Sequence, residues 1–183
     1  LFAVATILSG DMSLGLEMLM LAGAVTGFLA FNLRTPWLRQ ARIFLGDVGG
    51  LLLGLMLTWY AVKVAGLTTS PLRPITAVFI LAVPLLDIGS VMLLRILQGN
   101  SPFHADRQHM HHVLYDAGCK TGWVIAIMAL LALAFGSLGL YADSLNISEF
   151  LMFYGFLMLW AIYLGLLAKP QLIGRVVHRL RSQ

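Results

Sequence analysis

The chain has 183 residues, 60% of them hydrophobic and only 11% charged, with a formal net charge of +4. Soluble domains are about 45–50% apolar; a mean hydropathy of +0.89 excludes an ordinary soluble globular domain. The single Cys119 excludes an internal disulfide framework.

Apolar runs of about 20 residues cross a bilayer as helices. Five are read in chain order, at 16–33, 48–67, 75–97, 121–141 and 147–168, and residues 1–8 read as the end of an earlier span. Pro84 is expected to loosen the third span and free a carbonyl there. Backbone polar groups within lipid must be satisfied inside each segment, so the fold class is all-α, a polytopic transmembrane helix bundle. The chain opens on Leu1 with no basic stretch ahead of its first apolar run, which argues against a signal peptide. It reads as the C-terminal part of one transmembrane domain in a longer membrane protein.

Lys and Arg alternate between connections. Arg34, Arg39 and Arg42 precede the second span, Arg95, Arg107 and Lys120 flank the 98–120 loop, and Lys169, Arg175, Arg179 and Arg181 mark the 169–183 tail. The opposite connections hold only Lys63 and Arg73. The positive-inside rule therefore puts the 98–120 loop and the tail in the cytoplasm. The net charge follows from topology, and no nucleic-acid partner is needed to explain it. The tail also suits the anionic inner leaflet.

Acidic residues are few and selectively placed. Asp47 lies in FLGDVGGLLLG at the cytoplasmic mouth of the second span. It suits either an N-cap or a carboxylate ligand for Mg²⁺, which takes one or two carboxylates plus substrate phosphates. Gly46, Gly49, Gly50 and Gly54 suit close helix packing or a close phosphate. Asp87 lies within the third span, where a carboxylate costs about 2.5–3.5 kcal/mol at mid-helix. Either a polar contact to a neighbouring helix or an ion site accounts for it.

The loop SPFHADRQHMHH concentrates His104, Asp106, Arg107, His109, His111 and His112 between apolar segments. On a helix His109 and His112 would share a face; on a strand His109 and His111 would. The spacing is not that of HExxH and no cysteine ligand is near, so zinc is the weaker assignment. Imidazole donors with Arg107 and Arg95 suit a phosphate wall better. A diphosphate with its metal would then be held between Asp47 and this loop. Asp106 would orient Arg107 or a histidine, or form a plain salt bridge within the loop.

FNLRTPWLRQARIFLGDVGGLLLG and SPFHADRQHMHH together resemble the polyprenyl-phosphate N-acetylhexosamine-1-phosphate transferase family, in its GlcNAc branch. The resemblance implies a bacterial inner-membrane enzyme using Mg²⁺ or Mn²⁺. Its reaction moves sugar-1-phosphate from a UDP-N-acetylhexosamine to undecaprenyl phosphate, releases UMP and initiates cell-surface polysaccharide synthesis. Carried over, Asp47 is the metal-binding and catalytic carboxylate, and His109, His111 and His112 are the catalytic HxHH residues. Asn32, Arg95, Asp106 and Arg107 become substrate-binding positions. Gly50 stands where the family more often has Ser, and His104 where it has a small or neutral residue. The family's Asp-Asp and Asn-x-x-Asp-Gly-x-Asp-Gly motifs fall ahead of Leu1, so this segment alone is expected to be inactive. A homodimer is compatible with the sequence, which sets no oligomeric state. The competing class is an ion-coupled carrier that uses Asp87.

Overall fold

A computed structural model describes residues 1–8, 10–33, 42–66, 72–103 and 108–181. Among them, every regular element is an α-helix. The chain divides into two compact units, Leu1–Ala77 and Val78–Gln183.

The first unit holds α1 (Phe2–Leu8), α2 (Met12–Asn32) and α3 (Gly46–Gly66). Helix α2 begins ahead of the expected 16–33 because Asp11 caps it, its Oδ1 accepting from the Leu14 amide at 3.0 Å. Gly10, at φ 94, turns the chain so that α1 packs on α2. There Thr6 is fully buried and donates to the Phe2 carbonyl at 2.7 Å. Lys63 of α3 pairs with Glu17 of α2 at 3.2 Å. Both long helices are apolar on all sides and expose Leu16, Met20, Leu51 and Leu55. Helices apolar all round, and left uncovered, belong in lipid.

Helix α4 (Pro74–Ile80) crosses the unit boundary and α5 (Ala82–Leu97) follows at once. The span expected over 75–97, loosened at Pro84, is built as two helices that meet at 79°. The cause is Pro84, which has no N–H for the Ile80 carbonyl and whose ring crowds that carbonyl. The break at Leu81 falls where that clash places it. Among the described residues four helices are long and apolar enough to cross a membrane, α2, α3, α7 (Thr121–Ser144) and α8 (Glu149–Ala168), and the bent α4–α5 pair makes a fifth if taken as one span. The bundle is all-α and of polytopic membrane type.

The second unit also holds α6 (Met110–Asp116) and α9 (Pro170–Arg181). Its core gathers Leu86, Val91, Met110, Leu114, Tyr163 and Leu167. Helices α5 and α8 are joined by two polar contacts at i, i+3 spacing on each. Tyr163 donates to Asp87 at 2.9 Å, and the Trp160 indole N–H donates to the Ser90 hydroxyl at 3.0 Å. Position rises along α5 as it falls along α8, so the helices run antiparallel at this contact. Polar side chains of this kind hold helices together in lipid, where apolar surface gives no preference for protein over solvent.

Phe79 of α4 rests on Gly139 of α7, where an added Cβ would meet the Phe79 Cβ and lie 3.0 Å from its Cγ. The same ring packs edge-on against Phe156 of α8, with centroids 5.6 Å apart. Gly139→Leu should therefore lower stability by about 1–3 kcal/mol through overpacking. Thermal unfolding in detergent micelles would register this as a lower midpoint; an unchanged midpoint would mean the contact yields freely.

Helix α9 starts on Pro170, a residue whose missing N–H costs nothing at the first helical position. It packs on α6 and α8. The basic tail is thus largely a helix docked on the second unit.

Candidate functional site

Four chemically active residues meet in the second unit. His109 occupies the N-cap of α6 with extended backbone (φ −64°, ψ 146°), while His111 and His112 lie within its first turn. Neither regular pattern describes all three, because the chain changes from extended to helical between His109 and Met110. The His109 and His111 rings stack at 5.8 Å between centroids, and His111 and His112 lie tilted at 4.2 Å. The result is a row of three imidazoles at the head of one short helix.

Asp87 anchors that row from α5. Its Oδ2 accepts from His109 Nδ1 at 2.8 Å, and its Oδ1 accepts from the Met110 amide and the Tyr163 hydroxyl, each at 2.9 Å. His109 has no side-chain capping bond of its own, so Asp87 supplies the acceptor that α6 needs at its N-terminus. A residue only 9% exposed within a span has thereby gained three donors, which offsets its desolvation. The His109 side chain stays 30% exposed, so part of it remains accessible from outside.

Burial lowers the pKa of His111, with neighbouring His112 acting the same way and Asp87 opposing. His111 is therefore held uncharged at neutral pH. On acidification through 6.5 the unfolded chain takes up that proton first, so the direction of this contribution is loss of stability as pH falls. His111 and His112 border an open depression of about 530 Å³ whose other walls include Tyr115, Thr121, Val124 and Met128.

Arg95, in the last turn of α5, is buried and donates from Nη1 to the Pro102 carbonyl at 2.6 Å. It thus fixes the start of the histidine loop. Gln108 donates to Gln98 at 3.3 Å. His104, Asp106 and Arg107 lie outside the described residues.

Asn32 and Asp47 belong to the first unit. Asn32 ends α2 and its Oδ1 accepts from the Ile43 amide at 3.1 Å, while the Arg42 amide donates to the Phe31 carbonyl at 3.2 Å. These bonds fix the backbone entering α3. Asp47 is not an N-cap but stands inside the first turn of α3, with an exposed carboxylate. Gly46 before it takes φ 68°, a conformation L side chains rarely adopt, which accounts for glycine ahead of the aspartate.

A Cβ at Gly50 meets nothing within 4 Å. Gly50→Ser should leave both the unfolding midpoint and any turnover unchanged; a lost turnover would show that bare backbone is required there.

Among the described residues, no three His, Cys, Asp or Glu side chains converge as a metal cage. Asp47 as a single exposed carboxylate at a helix start fits the sparser demand of Mg²⁺, which keeps waters and draws ligands from substrate phosphates.

Tyr163 and Ser90 were not singled out by sequence. The available signal was a phenol in the middle of an apolar span, whose hydroxyl must find a partner when buried. Which partner it finds depends on the pairing of α5 with α8.

Residues 1–65, which contain Asn32 and Asp47, match the sequence profile described as "Glycosyl transferase family 4". The chain is 30% identical over 160 residues to an undecaprenyl-phosphate alpha-N-acetylglucosaminyl 1-phosphate transferase of Pasteurella multocida, covering 87% of this chain and 45% of that protein. It is 30% identical over 175 residues to the protein so named from Escherichia coli K12, covering 95% of this chain and 47% of that one. For the Salmonella typhi protein of that name the figures are 31% over 180 residues, 95% and 48%. The chain spans about half the length of the curated relatives it matches. No solved structure matches it. With that profile over residues 1–65 and such relatives along nearly its whole length, the chain is similar to glycosyl transferase family 4.

Proposed function

We propose that the chain handles the nucleotide sugar in a phosphosugar transferase. The whole enzyme transfers GlcNAc-1-phosphate from UDP-GlcNAc to undecaprenyl phosphate and releases UMP, at the cytoplasmic face of a bacterial inner membrane, initiating a cell-surface polysaccharide. The observation that carries this reading is the row of three imidazoles, fixed through His109 by a buried carboxylate and bordered by an open depression. Imidazole N–H groups donate to phosphate oxygens, and a fixed array of donors stabilises charge with little reorganisation. The relatives' names supply the lipid phosphate and the sugar phosphate.

Asp47 is the residue that would hold Mg²⁺ or Mn²⁺, and Asn32 sets the backbone that presents it. A bound divalent ion would supply charge neutralisation for the diphosphate. Arg95 would serve by shaping the loop that carries the histidines. The carrier reading needs Asp87 as an ion site, whereas its oxygens already accept from three donors, which favours the transferase.

The test is UMP formation by the full-length protein in liposomes containing undecaprenyl phosphate, given UDP-GlcNAc with and without Mg²⁺. Metal-dependent UMP is the expected result. Solute flux that depends on Asp87, with no UMP, would replace this reading with the carrier.

A further inference from the structure

Three histidines sit side by side, yet among the described residues only His109 has a carboxylate on its ring nitrogen. Asp87 Oδ2 meets His109 Nδ1 at 2.8 Å, while Oδ1 is occupied by the Met110 amide and the Tyr163 hydroxyl at 2.9 Å each. The two donors on Oδ1 come from α6 and α8, so the carboxylate plane is set by elements other than the histidine it serves. A carboxylate oxygen accepts, and a ring nitrogen facing it therefore carries the proton. A carboxylate used in this way fixes both tautomer and ring orientation.

We propose that Asp87 is a positioning residue that keeps the His109 proton on Nδ1 and leaves Nε2 as the nitrogen that meets substrate phosphate. His109 then differs in kind from its neighbours. Its partly exposed edge presents one defined nitrogen, and any positive charge arising on the ring is stabilised from behind by Asp87. His111, held uncharged by burial, contributes as a neutral group, and His112 lines the depression beside it. Tyr163 acts one step further out, by holding Asp87. This assignment rests on the transferase reading for its substrate, but the dyad itself is a property of the chain.

Two-bond ¹⁵N–¹H correlation spectra of full-length protein labelled with ¹⁵N-histidine, in nanodiscs, would read the tautomer directly. The His109 signal is identified by its loss in His109→Gln. Unmodified protein should show the proton on Nδ1; a proton on Nε2 with a bare Nδ1 would overturn the assignment, and this result requires no variant of Asp87. In Asp87→Asn the amide oxygen can still accept from Met110 and Tyr163, which turns the amide NH₂ toward Nδ1. The His109 proton should then move to Nε2. The kcat for UMP release should fall about 10²-fold with little change in KM for UDP-GlcNAc, and Asp87→Glu should recover part of it. A variant with an unmoved tautomer and full kcat would also overturn the assignment. A silent unmodified enzyme with the proton on Nδ1 would instead reject the transferase reading and leave the dyad in place.

Discussion

Asp87→Ala should lower the stability of the unit spanning residues 78–183 by about 2–6 kcal/mol, roughly 1–3 for each of the two buried donors left without an acceptor. The change strands three groups at once. The Met110 amide loses the acceptor at the head of α6, the Tyr163 hydroxyl is left inside α8, and His109 loses its carboxylate partner. Met110 is 5% exposed and Tyr163 4%, so water does not readily replace those bonds. Thermal unfolding of the detergent-solubilised protein should show the loss, with Asp87→Asn, which retains an acceptor, much closer to wild type. Equal midpoints for the Ala variant and the wild type would mean that the junction of α5, α6 and α8 is held by apolar packing alone.

Asp47→Asn should do the opposite: no change in stability and a large loss of turnover. The carboxylate is exposed in the first turn of α3, and among the described residues no contact of the first unit depends on its charge. If it holds the divalent ion, its loss removes several kcal/mol of charge stabilisation, about 10³-fold in rate. Circular dichroism and the unfolding midpoint should match wild type while UMP release falls to background.

The helices were legible because spans announce themselves by length and composition; α2, α3, α7 and α8 fall where the apolar runs fall. Their ends were less so. Asp11 and Ser148 set starts by capping, a local effect that hydropathy averages away. The 79° bend at Leu81 was foreshadowed only as a loosening at Pro84. Hydropathy over 75–97 does not register a missing N–H, and how far the chain turns depends on what receives it, here Gly139 and Phe156 packing against Phe79.

For the site, the histidines and Asp47 were legible from residue type and motif. The bond between Asp87 and His109 was not. They are 22 positions apart, on a span and on a loop end, and only the folding of α6 back against α5 and α8 joins them. Arg95 was expected to meet an anion at the surface; it is found buried on the Pro102 carbonyl, holding the loop that carries the histidines.

The most direct measurement is UMP release from UDP-GlcNAc by the full-length enzyme across a Mg²⁺ titration, wild type against Asp47→Asn. Wild type should rise to a plateau with metal, and the variant should stay at background at every concentration while remaining folded. An Asp47→Asn enzyme that turns over at the wild-type rate with the same Mg²⁺ midpoint would contradict the role assigned to this carboxylate.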